Sequence, residues 1–290
     1  MIVRKGLLLF VLLILAGGVK SQNPYFRFVT DSVYTYSYNR ISSTYELKFI
    51  TYNFYSDGLP DSTIIKSADR NPVSKTINNY DGALLLVVMT YNADGVNWLP
   101  SQRQELFYDS SQRLRTRVVT VWRTDRWENL NTFTYFYDDK DNLIVYHRDY
   151  WYNGTWTDFS TDSLFYDHRS FLTERSVRLT ATGQYYTRML YHNTFTGLKL
   201  SQTRQDYQGL SWVNKAKTRY IYNRCGTLTN TYGEIWSNGN WEPDSRTDIY
   251  YHHELLPGRR RVPVCHKGQT LYVHVSQLAS HLDHGDCPGE

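Results

Sequence analysis

Asn131-Thr132-Phe133-Thr134-Tyr135-Phe136-Tyr137-Asp138-Asp139-Lys140-Asp141-Asn142-Leu143-Ile144-Val145-Tyr146 is the stretch that decides how this chain is read. Phe133, Tyr135 and Tyr137 fall at every second residue, which puts them on one face of an extended strand. Asp139-Lys140-Asp141-Asn142 follows, and short Asp and Asn side chains bond nearby backbone and tolerate left-handed geometry, so the chain turns there. A second β-prone run, Leu143-Ile144-Val145-Tyr146, comes next, and the whole reads as a β-hairpin.

The same pattern recurs on either side. Tyrosines followed by Asp, Asn or His stand at Tyr52, Tyr80, Tyr108, Tyr137, Tyr166, Tyr191, Tyr222 and Tyr251, spaced by 28, 28, 29, 29, 25, 31 and 29 residues. Trp98, Trp127, Trp156, Trp212 and Trp241 run in phase, with Tyr185 filling the slot 29 residues after Trp156. A leucine lies six residues after the tyrosine at Leu86, Leu114, Leu143, Leu172 and Leu228, and slips by one to Leu198. Three markers holding one period define about seven copies of a 29-residue unit, of which the copy between Tyr166 and Tyr222 is irregular. Each copy supplies two strands, and the tryptophan falls in a longer connection back, beside Asn or Gly as in Tyr152-Asn153-Gly154-Thr155-Trp156. A lone hairpin cannot bury its apolar face, so the copies must pair laterally. The expected fold is therefore all-β: tandem hairpins across residues 22–255 forming an extended or spiral antiparallel sheet. Tyr and Leu are then packing positions, while the Trp/Tyr series doubles as a candidate aromatic ladder for stacking on sugars.

Pairs such as Phe107-Tyr108-Asp109 and Phe165-Tyr166-Asp167 make residues 50 to 255 resemble the bacterial YD or RHS-type repeat proteins. That resemblance implies strands winding into long β-sheet spirals or shells. The family's period is shorter and its glycine-rich turn after the YD pair is mostly absent here, which argues against a closed toxin-enclosing shell. The 29-residue spacing is similar to that of secreted tyrosine-rich repeat proteins of Bacteroidetes type.

Arg4 and Lys5 precede the apolar run Leu7 to Ala16, and Val19-Lys20-Ser21 follows it. A run of this length suits a signal peptide and is too short to cross a bilayer, so residues 1–21 are expected to be removed and the remainder exported, to the periplasm, the outer surface or the medium. No later segment is apolar enough for a transmembrane helix. Removing Arg4, Lys5 and Lys20 from a formal charge of +4 leaves +1, which gives no electrostatic case for nucleic acid.

Leu256-Pro257-Gly258-Arg259-Arg260-Arg261 reads as the start of a linker over residues 256–263, and a distinct Cys/His module occupies residues 264–290. Ser276 is a candidate N-cap for a short helix from Gln277 to Asp283, with Leu278 and Leu282 on one face. Cys265, His266, Gly268, Thr270, His281, Leu282, His284, Gly285, Asp286 and Cys287 resemble a short C-H…G…T…H-L-x-H-G-D…C motif at the ends of assorted bacterial secreted proteins. Two chemistries fit the module. Cys265 and Cys287 form a disulfide that staples a unit too small to fold on its core, leaving Cys225 free. Alternatively His281 and His284 bind zinc, with Cys265, His266 or Cys287 completing a tetrahedral set. No nucleophile elbow, HExxH, P-loop or c-type haem pattern is present. The expected function is a non-catalytic secreted or cell-surface scaffold that binds a protein or glycan. Carbohydrate binding by the Trp/Tyr ladder and a metal-dependent activity in the module are the alternatives.

Overall fold

The computed structural model describes residues 26–56, 58–255, 261–266, 269–283 and 286–288. The segment read as a signal peptide lies outside the described residues, as do residues 256–260 of the linker, Gly268, His284 and Gly285. The chain divides into two compact units, one spanning Thr30–His252 and another that includes His253–Glu290.

The first unit is built from sixteen antiparallel strands in sequence order. They are β1 (Phe26–Asn39), β2 (Thr44–Ser56), β3 (Leu59–Ser67), β4 (Pro72–Asp81), β5 (Leu84–Asp94), β6 (Asn97–Tyr108), β7 (Leu114–Arg123) and β8 (Arg126–Tyr137). Then follow β9 (Leu143–Tyr152), β10 (Thr155–Tyr166), β11 (Leu172–Leu179), β12 (Tyr185–Asn193), β13 (Lys199–Gln208), β14 (Ser211–Tyr222), β15 (Leu228–Ser237) and β16 (Asn240–Leu255). The sheet closes: β1 hydrogen-bonds β16, so the unit is a closed barrel and not the extended or spiral sheet expected from the repeats. Closure removes both sheet edges, which an open array would leave unpaired. Side chains mark the seam, with Tyr34 edge-on to Tyr250 at 5.2 Å, the Arg246 guanidinium over Tyr36 at 5.1 Å, and Arg40 paired with Glu242 at 2.9 Å.

Two kinds of turn alternate around much of the barrel. The connection carrying the tryptophan is the tight one, two residues long, and the Trp is the second residue of the following strand. Thr124-Asp125, Asn153-Gly154 and Asn238-Gly239 all have positive φ, the geometry of a type I′ turn matched to strand twist. The connection after the anchor tyrosine is the longer one. Asp109, Asp138, Asp167 and Asn223 each accept backbone N–H bonds at 2.8–3.0 Å from residues two and four positions on, closing a five-residue turn. The Asp109, Asp138 and Asp167 carboxyls are held below the ordinary range, first by the backbone N–H of Arg113 at Asp109, by the Asn142 side-chain amide at Asp138 and by the backbone N–H of Phe171 at Asp167.

The tyrosine before each such turn ties the barrel laterally. Tyr108, Tyr137, Tyr166 and Tyr222 donate their hydroxyls to the carbonyls of Leu85, Leu114, Leu143 and Lys199 at 2.7–2.9 Å, each acceptor lying 23 residues back. In the irregular copy Asn193 does this, donating to Leu172 O at 2.9 Å, and Thr194 Oγ1 caps the turn at Leu198 N. The true equivalent of the Tyr-Asp pair there is Asn193-Thr194. Tyr191-His192 sits within β12, and Tyr52-Asn53 sits within β2 in the same way.

Cross-strand registers put Val88, Gln104, Val119 and Asn131 in one row, with Leu106 and Tyr135 on the same face. Val88, Leu106, Val119 and Tyr135 are all buried, so this is the barrel's inner face. It also holds Asp162, only 2% exposed, whose Oδ2 accepts from Arg175 Nε at 2.6 Å. Burial pushes the hydroxyl pKa values of the neighbouring Tyr135, Tyr146 and Tyr191 up.

In the second unit β17 (Arg261–His266) lies between β18 (Gln269–His274) and β19 (Cys287–Pro288). Strand therefore begins at Arg261, inside the span read as linker. The helix α1 (Val275–Asp283) starts earlier than expected. Gln277 Oε1 accepts the His274 N–H at 3.3 Å and His274 Nδ1 accepts the Ser276 N–H at 3.3 Å, so His274 is the cap in place of Ser276. Val262, Val264, Val273 and Leu278 form its core, with Val275 and Leu282 packed against them.

Candidate functional site

Two groups of side chains carry potential function, one in each unit. On the barrel, residues opposite the buried row face outward, and the tryptophans are among them. Each stands across a tight turn from its strand partner: Trp122↔Trp127, Trp151↔Trp156, Tyr207↔Trp212 and Trp236↔Trp241. The ring pairs are edge-to-face at 5.1, 4.9, 5.1 and 5.0 Å, a favoured aromatic geometry. Tyr185 joins Trp212 at 5.7 Å, and Trp98 stands opposite Ala93 without an aromatic cross-strand partner. Trp127, Trp156, Trp212 and Trp241 thus stand in cross-strand aromatic pairs at one end of the barrel, and Trp98 stands at the same end outside that pattern.

Exposure concentrates over β9 to β12. Trp151 and Trp156 are each 36% exposed, and Tyr152, Tyr185 and Tyr186 about half. A β-bulge between Asp158 and Ser160 accommodates Phe159, which meets Tyr150 edge-on at 5.9 Å beneath the Arg148 guanidinium at 5.1 Å. Those residues, with Thr157, Asp158 and Leu179, line a cavity of about 400 Å³. Asp158 accepts from Thr180 Oγ1 at 2.8 Å and pairs across strands with Asp149, whose carboxyl is raised by burial and then by the nearby Asp158 charge. The cavity combines two aromatic rings with one carboxylate acceptor, Asp158, and one guanidinium donor, Arg148.

In the second unit β17 alternates, and alternation separates the ligands expected to share a zinc ion. His266 follows Val262 and Val264 on the face that packs on α1, whereas Cys265 is on the other, in register with Cys287. Among the described residues, no Cys-containing zinc set is therefore assembled. Nor is the expected disulfide: Cys265 is a free thiol, and Cys225 and Cys287 are the disulfide-bonded cysteines. What converges is His266, His281 and Asp286. Asp286 Oδ2 lies 2.7 Å from His266 Nδ1 and 2.8 Å from His281 Nδ1, and the imidazoles stand edge-to-face at 5.7 Å. Asp286 is buried, and bonds from His281 and then His266 hold its carboxyl below the ordinary range. Asp286 was legible only as a motif member, because nothing in the spacing shows that one carboxylate oxygen serves both rings.

These features define an all-β repeat barrel joined in sequence to a small Cys/His unit. No family model matches the chain, and no curated protein does. Among solved structures it is similar to a protein of unknown function from Bacteroides fragilis, at 13% identity and TM-score 0.26, covering 54% of this chain and 92% of that one. A porin-like protein from Bacteroides uniformis matches at 11% identity and TM-score 0.35, covering 78% and 96%. The TcdB2-TccC3-TEV structure matches at 11% identity and TM-score 0.33 over 74% of this chain, which spans 13% of that one. Scores of this size carry no functional argument.

Proposed function

We propose that the protein is an exported, non-catalytic barrel scaffold that binds another macromolecule at the cell surface through its outward aromatic pairs. The observation that carries this reading is the exposed group Trp151, Tyr152, Trp156, Tyr185 and Tyr186, gathered at one end of a closed barrel. Aromatics of this kind are anchors in binding surfaces because they bring large area at low entropy cost. The outer face carries the ion pairs Arg103–Glu105 and Arg219–Glu234 beside the exposed Phe107, Phe165 and Ile221, and the inner face carries Arg175–Asp162. No described helix is long and apolar enough to cross a membrane. Disulfide-bonded Cys225 and Cys287 suit an oxidising compartment.

A second reading, carbohydrate binding, is favoured by the cavity around Tyr150 and Phe159, where ring faces sit beside the Asp158 carboxylate. The first is tested with the Trp151→Ala/Trp156→Ala variant and the second with Tyr150→Ala/Phe159→Ala, the melting of each compared with wild type. Binding to purified cell envelopes should fall at least tenfold in the folded tryptophan variant. Undiminished binding sinks the proposal, and a glycan-array signal kept in the tryptophan variant but lost in Tyr150→Ala/Phe159→Ala selects the carbohydrate reading.

A further inference from the structure

We propose that the C-terminal unit holds one divalent transition-metal ion of the zinc type, ligated by His266 Nδ1, His281 Nδ1 and Asp286 Oδ2, with no cysteine in the set. The three ligand atoms lie within 4.8 Å of one another. They come from the end of β17, the last turn of α1 and the residue before β19, elements fixed by the Val262, Val264 and Leu278 core and by the Asp286 N–H bond to His281 O at 3.0 Å. The arrangement is therefore held in place without an ion.

Two imidazole nitrogens and a carboxylate suit zinc better than calcium or magnesium, which prefer all-oxygen shells. Three protein ligands leave a fourth zinc position for water or a further group. In the metal-free cluster, N–H protons bridge the rings to Oδ2 at 2.7 and 2.8 Å. An ion at the usual bond lengths needs its ligands about 3.3 Å apart in a tetrahedron, a widening of roughly half an ångström that side-chain rotation provides. The ion would take the place of those Nδ1 protons, each neutral ring then carrying its proton at Nε2. Cys265 stays out because it occupies the opposite face of β17, and Cys287 is already oxidised.

The test is calorimetric titration of the unreduced, chelator-treated full chain with zinc chloride, alongside the cobalt(II) spectrum. The expected result is one ion per chain, a cobalt spectrum without a sulfur charge-transfer band, and affinity unchanged in Cys265→Ser. Affinity should fall at least 100-fold in His281→Ala and in Asp286→Ala. If Asp286→Ala does not fold, His281→Gln keeps size and hydrogen bonding but removes the imidazole ligand, and the same loss is expected. The absence of saturable binding overturns the assignment. So does binding that survives the His266→Ala/His281→Ala double variant, or that disappears in Cys265→Ser.

Discussion

Removing one hydroxyl from the tyrosine ladder is the sharpest test of how the barrel is held. In Tyr137→Phe the ring and its packing stay, but the 2.9 Å bond to Leu114 O goes. A net hydrogen bond contributes about 0.5–1.5 kcal/mol, and a carbonyl left partly buried without a partner adds to the loss, so the expected cost is about 1–2 kcal/mol. For a unit the size of Thr30–His252 this lowers Tm by roughly 2–8 °C. The equivalent bonds of Tyr108, Tyr166 and Tyr222 are separated from their ladder neighbours by two strands or more, about 10 Å, far enough for the effects to add. The fourfold Tyr→Phe variant should then lose about 4–8 kcal/mol, comparable to the whole stability of an ordinary domain. Differential scanning calorimetry of the single and fourfold variants measures it. A fourfold variant melting within 2 °C of wild type would refute the idea that these bonds stabilise the barrel.

Other outcomes follow from the same geometry. Burial raises the pKa of Tyr135, Tyr137, Tyr166, Tyr191 and Tyr251 above the ordinary 10, so the folded state prefers the protonated hydroxyl. Their contribution is complete below about pH 10 and is lost as pH rises through the raised values, so the urea midpoint should decline steeply above pH 10. A flat midpoint to pH 11.5 would contradict this. Asp162→Asn strands the Arg175 guanidinium on the inner face. Because the Arg175 side chain is 35% exposed, the cost is nearer 2 kcal/mol than the upper end for a buried pair, and Asp162→Asn/Arg175→Met should recover part of it in urea unfolding. Thiol labelling of the unreduced chain should give one modified cysteine, Cys265, and none in Cys265→Ser. Recovery of a Cys265–Cys287 cross-linked peptide would count against the assignment of the free thiol.

Some of the candidate sites could be read ahead of the structure and some could not. The Trp series was visible because a tight turn needs fixed residues beside it, but its setting was not. Asn153-Gly154 is a two-residue turn, so Trp156 begins a strand instead of lying in a long connection. The Tyr166–Tyr222 copy is irregular in the linear pattern because its tyrosine, Tyr191, lies two residues before the anchor position that Asn193 fills. Asn193 can make the same bond with a shorter side chain, and only the position of the Leu172 carbonyl shows it. In the C-terminal unit the residue types pointed to metal or disulfide chemistry, but the two-residue alternation of β17 placed Cys265 and His266 on opposite faces.

What the sequence by itself determined is everything local: strands of period two, hairpin turns with Asp, Asn and Gly at positions needing capping or positive φ, and a unit recurring every 29 residues. Such features depend on residues close in the chain, so their signal survives in a linear reading. Closure depends on β1 meeting β16, strands from opposite ends of the repeat region, through contacts such as Tyr34–Tyr250 that lie outside the repeat pattern. The hairpin repeat is compatible with a spiral or a ring, because each strand registers only against its neighbours. The number of strands, their accumulated twist and the pairing of the two terminal strands decide between them, and these are properties of the assembled sheet.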